Sequence, residues 1–285
     1  KKGEVYIAGI MQHIEEAGVH SGDSACSIPT YSINKTQLDH IKKNTIKMAN
    51  KLNVLGLMNV QFALKDKKLY VIEVNPRASR TIPFVSKSIG VSVAKIAAKC
   101  MLGETLKKIN PPKERKSKYF NVKEVVFPFL KFPGADPILS PEMKSTGEVM
   151  GTGKTFEEAF AKSQISTSIE IPTSGNVFIS VKNEDKKSIN TIAKKLIQLG
   201  FNLVATDGTQ LYLNKNKIKC QRVNKVREGR THIVDMIKNK EIDLIINTTQ
   251  NKQAIKDSYL IRREALQQKV YYTTTIAGAN ALVGA

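Results

Sequence analysis

Apolar and polar positions along the chain follow two rhythms. Residues 4–9 (EVYIAG) predict a strand, and the polar stretch HSGDSACSIP (20–29) a loop. Residues 36–53 predict a helix capped by Thr36, with Leu38, Ile41, Thr45, Met48, Ala49 and Leu52 along one face. Residues 57–63 and 69–75 then predict a hairpin closed by the charged turn 65–68, its second strand reading as buried. Helical sequence resumes over 85–102, and Pro111, Pro112 and neighbouring basic residues mark a surface loop. Strands at 122–127 and 148–150 and a helix at 156–162 complete the first part. The Ser/Thr-rich stretch QISTSIEIPTSG is the expected boundary, giving domains at 1–168 and 169–285. Beyond it the apolar runs VFISV, LVAT, LIIN and VYYTT alternate with helical segments, the rhythm of a parallel α/β sheet. The expected fold class is therefore α/β: a mixed first domain followed by a Rossmann-like parallel domain.

Composition narrows the possible functions. A chain of 285 residues has room for two cores, and its 41% hydrophobic and 25% charged content is that of a soluble globular protein. No apolar run approaches the roughly 20 residues of a membrane span, and the opening KKGEVYIAGI is no signal peptide. The chain starts on Lys1 rather than Met, as a piece of a longer protein would. Cys26, Cys100 and Cys220 are widely spaced and predict reduced structural thiols, hence a cytoplasmic setting. The formal charge of +20 invites a nucleic-acid reading, but the basic residues are scattered, aromatics are 6% and Trp is absent. A Lys-rich solvated surface accounts for the charge, and neither nucleic acid nor membrane is an expected partner.

The chemistry gathers where the hairpin ends, in YVIEVNPRASRT (70–81). Glu73 and Asn75 alternate onto one strand face, and a turn centred near Lys67 sets Gln61 opposite Glu73. One carboxylate and two amides make a poor calcium cage but suit magnesium shared with nucleotide phosphates. Pro76 stops the strand and turns Arg77 and Arg80 to the same edge, where guanidinium groups bind phosphoryl oxygens. The bland alternative is a solvated strand end; the run Glu-x-Asn-Pro-Arg-x-x-Arg facing Gln61 favours a site. GEVMGTGKT (147–155) only imitates a P-loop, since five residues separate Gly147 from the GK pair.

GLMNVQFALKDKKLYVIEVNPRASRT resembles the carboxyl lobe of ATP-grasp enzymes, in particular the carbamoyl-phosphate synthase large-chain family. HSGDSACSIP and NPRASRTIPFVSK are similar to the second of that family's two synthetase halves, and the similarity continues through VKEVVFPFLKFPGADPILSPEMKSTGEVMG. The resemblance implies a ligase that phosphorylates carbamate with MgATP (or with Mn2+, and with K+ as a further ion). It implies that Gln61, Glu73 and Asn75 hold metal. Gly18, Val19, His20 and Ser21 would line the nucleotide site with Gln61 and Glu73, while Arg77 and Arg80 would steady the phosphoryl group or carbamate. Without the family, His20 is an ordinary loop histidine. The implied partners are a glutaminase small chain and an oligomer, in pyrimidine and arginine biosynthesis. The implied piece lacks the preceding lobes and is expected to be inactive alone. A biotin-carboxylase-like or other ATP-grasp ligase would share Glu-x-Asn without needing HSGDSACSIP.

In the second domain, Thr206-Asp-Gly-Thr209 and Asn247-Thr-Thr249 fall at strand ends, where parallel sheets bind ligands. Turn and cap formation is the bland account of each; Lys186 and Lys225 add charge for an anion. The region resembles methylglyoxal-synthase-like regulatory domains without the Gly-Gly-Asp-Gln stretch of the lyases. That resemblance implies that Lys186, Thr206, Thr209, Lys225, Asn247 and Thr249 bind UMP or IMP. It also offers Glu15, Asp23, Glu124 and Thr274 as ornithine-binding positions. Sequence leaves open which effector acts and in which direction.

Overall fold

The computed structural model describes residues 4–113, 117–132, 135–167, 170–226, 228–249 and 252–285. The expected boundary at Ser168 and Ile169 lies outside them. Two compact units emerge, residues 1–13 with 26–123, and residues 14–25 with 124–285.

In the first unit, β1 (Gln12–His13), β2 (Cys26–Ile28) and the start of β5 (Phe120–Val126) form an antiparallel ladder. Residues 4–9, expected as a strand, join no ladder; Ala8 and Met11 instead pack by their side chains against the core. Helix α1 (Lys35–Lys51) is capped by Asn34, two residues before the expected Thr36, because Asn34 and Gln37 close a reciprocal capping box. The hairpin is β3 (Asn59–Lys65) and β4 (Lys68–Asn75), a separate two-stranded sheet. Two strands cannot cover both of their faces, so Tyr70, Val71 and Ile72 are 49%, 50% and 50% exposed; the strand read as buried is half in solvent. The predicted helix over 85–102 is two, α2 (Ile82–Ile89) and α3 (Val93–Met101), parted at Gly90, whose φ of 67° ends the first in the left-handed region. Phe84, Val85 and Val93 pack with Cys26 and Ile28 as the core, and α4 (Leu106–Ile109) follows.

In the second unit, β6 (Gly147–Gly153) lies against α5 (Phe156–Ile165), capped by Thr155. Gly151 and Gly153 face the helix backbone, where a Cβ would come within 2.1 Å of the Ala159 carbonyl oxygen and 2.6 Å of the Ala159 nitrogen. Close strand–helix packing therefore accounts for the glycines of GTGKT. The parallel sheet holds β7 (Asn176–Ser180), β8 (Asn202–Thr206), β9 (Gln221–Val223), β10 (Leu244–Asn247) and β11 (Tyr271–Thr273) in the order β11-β10-β7-β8-β9. The expected strands are all present; β9 is an addition, too short and polar to read. Helices α6 (Lys186–Gln198), α7 (Asp207–Lys215), α8 (Ile233–Lys238), α9 (Lys252–Gln267) and α10 (Ile276–Gly284) connect or close it. Phe178, Val204, Ile233, Ile237 and Ile245 are central to its core. Among the described residues no helix is long and apolar enough to cross a membrane.

Candidate functional site

The hairpin sets Gln61 opposite Glu73, and Asn59 opposite Asn75. It arrives there by two compensating steps. The turn pairs Lys65 with Lys68, one residue short of a turn centred at Lys67, so a regular ladder would set Gln61 against Ile72. A bulge between Gln61 and Phe62 leaves Ile72 unpaired and restores Glu73 to Gln61. Four oxygen-bearing side chains thus share one face, Asn59 being the member the sequence reading missed; its spacing two residues before Gln61 was the available signal.

Asn75 Nδ2 donates to Glu73 Oε1 at 2.8 Å, which fixes the amide and orients the carboxylate. Among the described residues no three His, Cys, Asp or Glu side chains gather into a metal cage. One carboxylate with amide oxygens fits a hard ion whose remaining ligands come from phosphate and water. Pro76 ends β4, and the Arg77 N–H donates back to the Asn75 carbonyl at 2.9 Å. Arg77 Nη1 donates to the Ala78 carbonyl at 3.1 Å, while Arg80 is exposed just before α2. Gln61, Glu73, Asn75, Arg77 and Arg80 all belong to the first unit.

Gly18, Val19, His20 and Ser21 belong to the second. The Val19 N–H donates to the Glu16 carbonyl, closing a four-residue turn whose third position is Gly18 at φ 104°. A side chain there would be strained, so Gly18 is required by the turn. His20 Nδ1 accepts from the Gly22 N–H at 3.0 Å, and the His20 N–H donates to the Ser140 carbonyl at 2.9 Å. The imidazole therefore caps a short 3-10 turn.

The strand order of the parallel sheet reverses between β7 and β10, the place where such sheets bind ligands. Thr206, at the end of β8, donates to Ser180 Oγ at 3.1 Å, and buried Thr209 accepts the Val181 N–H at 3.3 Å. Buried Asn247 accepts from Ser258 Oγ on α9. Lys186 Nζ lies 3.6 Å from where a Cβ on Gly208 would sit, over the start of α7. Asp207 there pairs with Arg222 at 3.3 Å in a solvent-exposed ion pair. Lys225 is exposed on the loop after β9, its N–H held by Glu228, and Thr249 follows β10. These residues share the carboxyl edge of the sheet; Ser180 and Ser258 were not foreseen, and Thr248 only as the middle of the Asn247–Thr249 stretch.

Asp23 is fully buried, and its carboxylate accepts the N–H groups of Lys144 and Ser145 at 2.7 and 2.9 Å. Glu15 accepts the Ala25 N–H at 2.6 Å. Glu124 accepts from Gln164, whose other amide atom accepts the Tyr271 hydroxyl at 3.1 Å. Burial first, and then Glu124 and Glu15, hold the Tyr271 hydroxyl well above its usual range. Thr274 is half-buried three residues further along the same segment.

Matches to two family models give the class, an ATP-binding domain together with an MGS-like domain. The family model "Carbamoyl-phosphate synthase L chain, ATP binding domain" matches residues 1–109, and "MGS-like domain" matches residues 188–274. The chain is 60% identical over 279 residues to the carbamoyl phosphate synthase large chain of Pseudomonas syringae pv. tomato, covering 98% of this chain and 26% of that relative. It is 54% identical over 288 residues to that of Xanthomonas axonopodis pv. citri, with 99% and 27% covered. The chain belongs to the carbamoyl phosphate synthase large-chain family and corresponds to its carboxyl-terminal portion. It spans about a quarter of the length of the curated relatives it matches.

Proposed function

We propose that this chain forms the carboxyl lobe of the unit that phosphorylates carbamate with ATP, yielding carbamoyl phosphate and ADP. The observation that carries this reading is the shared face of Asn59, Gln61, Glu73 and Asn75, next to Arg77 and Arg80. Gln61, Glu73 and Asn75 would hold Mg2+ (or Mn2+), which when bound neutralises phosphate charge. Arg77 and Arg80 would orient the transferring group, and Gly18, Val19, His20 and Ser21 would contact the nucleotide. K+ would be a further ion of the site.

The MGS-like domain, which we place from residue 169, would bind UMP or IMP through Lys186, Thr206, Thr209, Lys225, Asn247 and Thr249. Support comes from the burial of Thr206, Thr209 and Asn247 at the sheet's ligand-binding edge. The ornithine site would draw on Glu15, Glu124 and Thr274. Asp23, with both oxygens bonded to backbone N–H groups, would act there as a support. The full enzyme would be a cytoplasmic, oligomeric, glutamine-hydrolysing ligase with a glutaminase small chain, serving pyrimidine and arginine biosynthesis. The segment alone, at 26% of its relatives' length, would have no synthetase activity.

The test uses the full-length parent chain, carbamoyl phosphate and MgADP, with ATP formation measured. Glu73→Gln should lower the rate on the order of a hundredfold, the scale of one lost electrostatic contact to the reacting group. No ATP from the unaltered chain, or an undiminished rate in the variant, refutes the reading.

A further inference from the structure

Residue 16 opens the turn that presents Gly18 and Val19. Its carboxylate is bound from the MGS-like side of the same unit: Lys182 Nζ donates to Glu16 Oε1 at 3.1 Å. Lys182 follows β7, and its backbone N–H donates to Thr248 Oγ1 at 3.1 Å. Thr248 stands between Asn247 and Thr249, and its own N–H donates to the Ser180 carbonyl at 3.0 Å. A single residue is thus tied through its backbone to the loop after β10 and through its side chain to the turn at 16–19.

A second cation feels the charge of the same carboxylate without touching it among the contacts of the described residues. Arg262 on α9 is buried, its Nε has no hydrogen-bond partner among the described residues, and Tyr272, Asp136 and, least, Glu16 act on it electrostatically. One helical turn earlier on α9, Ser258 donates to Asn247. Both cations that act on Glu16 are therefore one short link from Asn247–Thr249. At its base the segment is fixed by the Thr275 hydroxyl, which donates to the Ile14 carbonyl at 3.1 Å. Residues 16–19 lie between that anchor and the His20 N–H bond to the Ser140 carbonyl, and the Glu16 carboxylate is the side-chain tie that joins the turn to Lys182.

We infer that Glu16 and Lys182 are a positioning pair through which the loop after β10 sets the turn carrying Gly18 and Val19, and so couples a bound nucleoside monophosphate to nucleotide affinity at that turn. The inference rests on the function proposed above. A phosphate drawn into the loop shifts Thr248, Thr248 shifts the Lys182 backbone, and the ammonium group moves the carboxylate that opens the turn. Lys182 is 18% and Glu16 58% exposed along the side chain, so solvent screens the pair and the coupling is modest.

The experiment measures KM for MgADP in ATP formation by the full-length chain, with and without saturating UMP or IMP. Lys182→Met and Glu16→Gln should each reduce the effector-induced change in KM by about two- to fivefold, the range open to a half-exposed pair. Calorimetry should show the Kd for UMP or IMP unchanged, and kcat without effector should stay as it was. The exchanged pair Glu16→Lys with Lys182→Glu should recover the response, which a general loosening of the loop could not do. A full response in both single variants, or no recovery in the exchanged pair, overturns the inference. If the unaltered chain makes ATP but neither nucleotide changes its KM, the effector reading falls and this inference with it; if it makes no ATP, the proposed reaction itself is refuted.

Discussion

Replacing Gly151 by Ala asks whether β6 and α5 touch as closely as the structure says. An ideal Cβ on Gly151 would lie 2.1 Å from the Ala159 carbonyl oxygen and 2.4 Å from the Ser163 nitrogen. Both are helix backbone atoms, so no side chain can swing aside. Ordinary contact needs roughly 3.5 Å, and α5 must retreat by about 1 Å or more. Overpacking of this kind costs about 1–3 kcal/mol and more where backbone is displaced. Ala regains about 0.5–1 kcal/mol over Gly in a strand through backbone entropy. At the upper end a net loss of about 2 kcal/mol remains, or roughly 4–8 °C in melting temperature for a unit of this size. Gly147, on the same strand, is the control: its Cβ would sit 3.7 Å from Val126 Cβ, an ordinary contact. Gly147→Ala should therefore be neutral or stabilising by up to about 1 kcal/mol. Melting followed by circular dichroism compares the two variants. Equal midpoints would refute the close approach. The same retreat would pull Gln164 away from Glu124 and Tyr271, so Tyr fluorescence should change in Gly151→Ala alone.

Burial, reinforced by Lys123, lowers the His13 pKa from 6.5 to about 4. The folded state then binds its proton later than the unfolded chain, so stability is whole above pH 6.5 and falls as pH drops towards 4, by about 3 kcal/mol in all; His13→Gln should flatten melting temperature against pH across that window. Burial pushes the Cys220 thiol up to about 12, leaving about one thiolate in ten thousand at pH 8, and Cys26 is inaccessible. An aromatic disulfide reagent should therefore titrate one thiol, Cys100, in the native chain; two or three fast thiols would contradict the burial. Lys225→Ala should weaken UMP or IMP binding to the full chain by calorimetry, and an unchanged Kd would remove Lys225 from the proposed site.

What sequence made legible was chemistry held within one turn or one ladder. Glu73, Asn75, Arg77 and Arg80 lie within eight residues, and strand alternation suffices to align the first two. The pairing of Gln61 with Glu73 came out as expected although neither the turn centre nor the regular ladder was right, because the two errors cancel. The exposure of Tyr70, Val71 and Ile72 was not legible, since apolar content says nothing about how many strands will share a sheet. At the parallel sheet, Thr, Asn and Gly at strand ends announce their loops, whereas Ser258 sits in a helix and shows nothing of its bond to Asn247. The Glu16 to Lys182 contact spans 166 residues and has no local signature at all.

The unpaired Ile72 has a consequence for how the hairpin can be altered. Val71 pairs with Phe62 and Glu73 with Gln61, so residues two apart on β4 point to opposite sides. The strand thus has two parities, one towards its tip and one towards its base, with the switch at a single residue. Deleting Ile72 would leave Gln61 opposite Glu73 and yet straighten the strand, because a bulge adds bend and twist. Which donors meet is written in Asn59, Gln61, Glu73 and Asn75; the direction in which they aim is written in a residue whose side chain takes no part. Composition and aim can therefore be varied one at a time, by substitution for the first and by removal of one residue for the second.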